Sequence, residues 1–229
     1  MIDIYEHNSM GKFITDNKMD LKLTIEELFD DDSYRVKDRD FENTVCFDIG
    51  ANIGVFTRLF KKLYPGSKVF AFEPVKSTHQ MFLENTKFLT GVSSYNVGIG
   101  FEPGSFNVHS NGSSLYSTVG KESFARTESN VKASLMGIKE FHSKYIGIFE
   151  GGNAVLKCDA EGGEECLFFS DEGVDILKKS RFSTFELHFL SDEMPSYQDY
   201  KEKINSLFGS RATIYRRSKY GAHCTINNL

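Results

Sequence analysis

No apolar run in this chain approaches the roughly 20 residues that a membrane span requires. The N-terminus likewise shows no apolar core of the secretory-signal kind. Basic charge is not in excess: 27 Lys and Arg against 32 Asp and Glu leave a net charge of −5, so nucleic acid is not an expected partner. The local group Arg216, Arg217 and Lys219 reads as a solvated strand end. Cysteine is scarce, with four residues and no Cys-x-x-Cys pair, which removes zinc-ribbon and thioredoxin readings. Cys46 and Cys158 fall inside apolar runs and read as small buried hydrophobes. A reducing, cytoplasmic setting is the expectation.

What is present is enough for one α/β domain with modest extras: 229 residues, 40% hydrophobic, 21 of them Phe. Residues 1–44 are polar and read as a lead-in or cap over an edge or mouth, with a short helix at 24–29. From 45 onward strands and helices alternate. Val45–Ile49 is a strand, and the helix after it repeats Phe56, Leu59, Phe60 and Leu63 on one face, with Arg58, Lys61 and Lys62 on the other. Asn52 is its expected N-cap and Pro65-Gly66 its stop. Lys68–Phe72 is a covered parallel strand, and Ser77 with Gln80 suggests a capping box for the next helix. Ser94–Ile99 is a third strand. Ser105–Val108 and Leu115–Val119 flank Asn111-Gly112, a hairpin signal. A hairpin and cap insertion is expected over about 104–150. Ala154–Cys158 and Phe182–Phe189 are further strands, Ser196 opens a last helix closed by Gly209, and 213–216 with 223–226 form a terminal antiparallel pair. The fold class is a doubly wound, mostly parallel α/β sheet with helices on both faces.

The turn Gly50-Ala51-Asn52-Ile53-Gly54 is not G-x-G-x-x-G. Asn52 stands where a dinucleotide fold has the glycine that admits a pyrophosphate. Glu73, at the end of the second strand, is where such folds hold a ribose. A phosphate-free nucleoside cofactor, S-adenosylmethionine, fits better. Its carboxylate would suit the N–H groups at the helix start, and its ammonium would suit Asp48 or Asp159.

Four motifs go further than spacing. Asp48-Ile49-Gly50-Ala51-Asn52-Ile53-Gly54, Phe72-Glu73-Pro74, Glu84-Asn85, and Leu156-Lys157-Cys158-Asp159-Ala160-Glu161-Gly162-Gly163-Glu164 resemble the FkbM family of methyltransferases over about residues 45–190. The resemblance implies the class I S-adenosylmethionine-dependent fold, a seven-stranded sheet with its last strand antiparallel. It implies the methionine end of the cofactor over Asp48, Gly50, Ala51, Asn52 and Gly54. The ribose would lie on Glu73 beside Pro74, and the adenine near Asn96, Val97 and Gly98. Cys158 departs from the family's aliphatic residue, and Gly98 and Gly163 stand where it often has Ala.

Methyl transfer from a sulfonium is an in-line displacement, and an alcohol acceptor benefits from a base. The resemblance suggests a sugar, glycan or similar small-molecule hydroxyl as acceptor. His188 or Asp159 is the expected base, with Glu161 orienting the acceptor. The blander readings are a half-buried histidine for His188 and helix-dipole roles for Glu161 and Glu164. Lys157 could pair with Glu186. His79, His109, His142 and His223 show no ligand spacing and are expected at the surface. Tyr116, Tyr145 and Phe149 could stack on a sugar or line the core. A divalent metal is not expected, because no third oxygen ligand is evident beside Asp159 and Glu161. The competing classes are a nicotinamide-dependent oxidoreductase and a cofactor-binding partner subunit without catalysis.

Overall fold

The computed structural model describes residues 2–110, 117–119, 127–189 and 194–228. The chain opens with a hairpin, β1 (Asp3–His7) and β2 (Gly11–Thr15), and helix α1 (Lys18–Phe29). The alternation then runs β3 (Val45–Ile49), α2 (Val55–Leu63), β4 (Lys68–Phe72), α3 (Lys76–Thr86) and β5 (Val92–Tyr95). A small sheet follows, built from β6 (Gly98–Gly100), β7 (Gly104–Ser110), β8 (Ser117–Val119) and β9 (Thr127–Gly137). The remainder is α4 (Ile138–Glu150), β10 (Ala154–Cys158), α5 (Glu165–Phe169), α6 (Asp171–Lys179), β11 (Phe182–His188), α7 (Tyr197–Phe208), β12 (Ala212–Arg216) and β13 (Gly221–Asn227).

The main sheet has the order β12-β13-β11-β10-β3-β4-β5, and β13 runs antiparallel to both of its neighbours. The order reverses beside β3, which is where doubly wound sheets bind ligands at their carboxyl ends. Alternation along the strands divides two cores. Phe47, Ile49, Phe72 and Leu156 enter the layer that contains α4 to α7, while Cys46, Val69, Ala71 and Val155 enter the layer of α2, α3 and the N-terminal segment. Phe47 stacks on Phe149 at 4.6 Å, and Phe72 meets Phe141 edge-on at 5.5 Å. All four cysteines are buried and unpaired. No helix among the described residues is long and apolar enough to cross a membrane.

Several local expectations are corrected. The third strand breaks: β5 ends at Tyr95, and Gly98–Gly100 leaves the main sheet to pair with β9. A Cβ at Gly98 would sit 2.6 Å from Leu135, so glycine permits that pairing. Residues 138–150, grouped above with the insertion, are α4, whose Phe141, Tyr145 and Phe149 are buried in the main core rather than placed for a sugar. Asn52 is not the cap of α2. The helix begins two residues later, behind Gly54, and Asn52 takes a left-handed φ of 51° that asparagine tolerates. Helix α3 starts at Lys76 without a side-chain cap. Ser196 does cap α7, in a reciprocal box with Asp199. The turn at 111–112 and Tyr116 lie outside the described residues.

The N-terminal 44 residues are a packed layer rather than a lead-in. Their anchor is the face of α2 expected to meet solvent. Arg58 and Lys61 are buried there. The Arg58 guanidinium lies 3.8 Å from the Phe13 ring centroid and donates to the carbonyls of Lys12 and Met10. Burial lowers its pKa to about 10. A long basic side chain can cap strand carbonyls while its stem covers an aromatic ring, so helical periodicity alone misassigns it.

Candidate active site

The site forms where β3, β4, β10 and β11 end together. Gly50, at φ +71°, lies between the ends of β4 and β10. Its N–H and that of Ala51 donate to the Phe72 carbonyl at 3.0 Å each. A Cβ on Gly50 would stand 1.7 Å from the carbonyl oxygen of Asp159, so no other residue fits without moving the chain. The Ile53 N–H donates to Asn52 Oδ1 at 2.7 Å and the Gly54 N–H to the Ala51 carbonyl. The amides from Gly50 to Gly54 therefore all have internal acceptors, and the turn is a rigid shelf rather than an open anion nest.

Asp48 does not face the cleft. It is fully buried under the turn, with Oδ1 3.1 Å from Lys157 Nζ and Oδ2 accepting from Thr57 Oγ1 at 2.6 Å. Lys157 is its direct register partner on β10, and the same ammonium donates to the Gly50 carbonyl at 2.7 Å. Lys157 thus pairs with Asp48, not with Glu186, and ties the turn to the strand that carries Asp159.

Glu73 follows β4 and is buried, its Oε2 accepting from the Asn52 N–H at 3.0 Å and Oε1 from the Val75 N–H at 2.8 Å. Burial raises its pKa to about 7, against the opposing pull of those two N–H groups and Lys157. The Asn96 amide donates to the carbonyls of Glu73 and Pro74, which brings the 96–98 segment alongside Glu73. Glu73, Pro74, Asn96, Val97 and Gly98 consequently share one wall, and the Gly50–Gly54 turn joins it through Asn52.

The opposite wall is acidic. Asp159 and Glu161 follow β10, and His188 ends β11. Glu164 clamps the histidine, its Oε1 accepting from the His188 backbone N–H at 2.7 Å and meeting Nδ1 at 2.9 Å. Its Oε2 accepts from the Gly162 N–H. Glu164 is therefore a positioning residue rather than a helix-dipole partner. His188 Nε2 lies 3.9 Å from Asp159 Oδ1 and 3.8 Å from Glu161 Oε2. Burial opposes charge on this ring, yet Glu161, Glu164 and Glu186 outweigh it and hold the pKa well above that of an ordinary histidine. That direction favours the ring as a proton donor rather than a base.

Tyr34 carried no assignment from the sequence and Glu186 only that of a partner for Lys157, yet both reach this wall. Tyr34 donates its hydroxyl to Asp159 Oδ2 at 2.8 Å and stacks on His223. Burial, with Asp159 adding to it, pushes the Tyr34 pKa well up, so the phenol remains a donor. His223, expected at the surface, is buried, with Nδ1 3.0 Å from the Ser33 carbonyl and Nε2 3.0 Å from Arg217. Burial lowers its pKa, so it is the neutral tautomer that donates from Nδ1. Asn85, second residue of the Glu-Asn motif, accepts from the Ile14 N–H and donates to the carbonyls of Ile14 and Ile53, fastening the N-terminal hairpin to the turn. Removing the Tyr34 hydroxyl deletes a hydrogen bond to a charged, partly exposed group. Tyr34→Phe should lower stability by about 1.5 kcal/mol in denaturant titration.

Comparison with known proteins accords with this geometry. Residues 48–211 match the model of the methyltransferase FkbM domain. Methyltransferase 1 of Beauveria bassiana (strain ARSEF 2860) is 33% identical over 90 residues, 38% of this chain and 36% of that protein. Methyltransferase sdnD of Sordaria araneosa is 30% identical over 91 residues, 38% of this chain and 35% of that protein. The aligned stretch thus spans about a third of these relatives' length. Among solved structures, the SAM-dependent methyltransferase of Agrobacterium tumefaciens superposes with a TM-score of 0.53 at 8% identity, over all of this chain and 70% of that one, which is a likeness of fold. With more than half of its length matched, this chain belongs to the FkbM methyltransferase family.

Proposed function

We propose that the protein transfers the methyl group of S-adenosylmethionine to a hydroxyl of a sugar, glycan or similar small-molecule acceptor. The residues fit that cofactor on one side plainly. Glu73 presents two carboxylate oxygens, already oriented by backbone N–H groups, to a ribose diol, and Asn96 to Gly98 continue the wall for the adenine. The turn from Gly50 to Gly54 is close-packed enough for the methionine end to lie against backbone. Asp48 supports that turn from beneath. When bound, the cofactor supplies an electrophilic methyl.

The observation that carries the reading is the Tyr34 hydroxyl on Asp159 at 2.8 Å. It places an O–H donor on a carboxylate at the ligand-binding end of the sheet, in the relation an acceptor alcohol requires. Asp159 is the base in this reading, protonated His188 fixes the charge around it, and Glu161 orients the acceptor. The test is incubation with methyl-labelled donor and a panel of glycans and small-molecule alcohols, followed by mass mapping of the product. Label on a hydroxyl oxygen supports the reading, whereas label on nitrogen or carbon, or none, overturns it.

Cofactor binding has a pH signature. The ribose hydroxyls donate, so the Glu73 carboxylate is the binding form. With a pKa of about 7 in the free protein, affinity should rise by at most about tenfold per unit up to pH 7 and then level. The stability that Glu73 gives the free protein has the opposite sign. Its folded pKa is raised, so that stability is present below about pH 4.5 and lost as pH rises through 7. Calorimetric titration from pH 5.5 to 8.5 reads the first effect. In Glu73→Ala the slope should vanish and affinity fall by about 10- to 100-fold.

A further inference from the structure

We propose that Asp159, Glu186 and His188 bind one divalent cation at the acceptor side of the cleft. One ligand atom from each lies within 4.8 Å of the other two. The topology produces this grouping. Glu186 and His188 are two residues apart on β11 and face the same way, while Cys158 lies opposite Phe185, so Asp159 leaves β10 beside Glu186. Sequence spacing did not reveal a third ligand for Asp159 because it stands on a different strand.

The independent observation is the posture of His188. Its side chain is nine-tenths buried, and Glu164 holds Nδ1 and the backbone N–H together. Nε2 is thereby aimed at Asp159 Oδ1 and Glu161 Oε2 from 3.9 and 3.8 Å, beyond hydrogen-bonding range. A carboxylate behind the histidine with other carboxylates in front is the arrangement that orients a metal-ligating imidazole. The charge points the same way. Three carboxylates crowd the open side of one imidazole, and the neighbouring ammonium of Lys157 is engaged by Asp48. The adjacent group of Glu27, Glu186 and His223 has the same residue types, but Arg217 already sits against Glu27 and His223. That second group is filled by a guanidinium.

One imidazole and two carboxylates suit manganese or a similar divalent ion, which leaves coordination positions for acceptor oxygens. The imidazole gives up its proton to bind. Asp159 can serve both roles, with Oδ1 toward the ion and Oδ2, which already accepts from Tyr34, offering its second lone pair to an acceptor hydroxyl. The binding itself does not depend on methyl transfer, although its use in orienting an alcohol rests on that reading.

The experiment is titration of the chelator-treated full chain with Mn²⁺, followed by electron paramagnetic resonance of the free ion, without donor or acceptor. The expected result is one site per chain, weakened at least about tenfold in Asp159→Asn and His188→Gln and about 10- to 100-fold in Glu164→Gln. Affinity should be unchanged in Glu27→Gln. No stoichiometric binding, equal affinity in His188→Gln, or loss only in Glu27→Gln would each overturn the site. Should a ligand variant not fold, wild-type NMR decides. Substoichiometric Mn²⁺ should broaden the His188 ring signals before those of His79, and equal broadening refutes the assignment. A failed metal site leaves label transfer to be observed or not, so the two proposals fall separately.

Discussion

Lys157→Met is expected to cost about 3–5 kcal/mol of folding stability, a large share of the roughly 5–15 kcal/mol available to a domain. The ammonium is buried in the main sheet, one register position across from a fully buried Asp48 at 3.1 Å. Removing it leaves a charge with only Thr57 for company. Asp48→Leu combined with Lys157→Met should recover most of the loss, because a buried pair replaced by apolar residues leaves no orphan charge. Burial works against the Lys157 charge, but Asp48 and Asp159 outweigh it and raise the pKa above 10.5. The sign follows: a raised pKa contributes stability that is complete below 10.5 and lost as pH rises through the folded value. The Lys157 charge is therefore constant across the neutral range and is lost only in strong alkali. Denaturant titrations of the single and double variants at pH 7 measure both halves. Equal losses in the two would show that the ion pair is not what holds this turn.

That pair also shows what the sequence made legible. Asp48 and Lys157 were both visible as motif residues, yet the motif order did not say that they touch. Two parallel strands whose paired residues Asp48 and Lys157 lie 109 positions apart in the chain become neighbours only through the reversal in strand order at β3. The strands themselves were readable because Val45–Ile49, Lys68–Phe72 and Ala154–Cys158 are continuous apolar runs, the pattern of strands covered on both faces. The terminal pair was readable too. What failed was local chemistry settled by tertiary partners. Arg58 and Lys61 looked like a solvent face, whereas the N-terminal hairpin covers Arg58 and Lys61 turns its ammonium onto the carbonyls of Pro65 and Ser67. Gly98 looked like strand interior, whereas Pro74 and Leu135 leave no room there for a side chain. His223 looked like a surface residue until Ser33, Arg217 and Tyr34 enclosed it.

The N-terminal segment changes how the site is understood. Its sequence reads as a lead-in or cap, and it supplies Tyr34, whose hydroxyl touches Asp159. Asn85 and Arg58 hold its hairpin against α2 and α3, Glu27 is paired with Arg217, and Tyr34 stacks on His223 and meets Phe56 edge-on. Family motifs end at the cofactor wall and the Asp159 loop. The wall that carries Asp159 is completed by Tyr34, from a segment that resembles nothing in those motifs.

Asp159→Asn is the substitution that tests the chemistry most sharply. Asparagine keeps the volume, can still accept from the Tyr34 hydroxyl, and cannot take a proton from an acceptor. Loss of a positioned base lowers kcat by about 10²–10⁴-fold. Affinity for the methyl donor should stay close to wild type, since Glu73 and the Gly50–Gly54 turn lie on the other wall. His188→Gln separates the two assignments made from sequence. The ring is held protonated by Glu161, Glu164 and Glu186, so its removal should alter the pH dependence and the acceptor KM more than the limiting rate. The decisive comparison is single-turnover methyl transfer at saturating donor across pH 6–9. A rate in Asp159→Asn within tenfold of wild type, alongside collapse in His188→Gln, would transfer the base to the histidine. It would also require the imidazole to lose its proton in the ternary complex, which a shift of its ring resonances on acceptor binding would report.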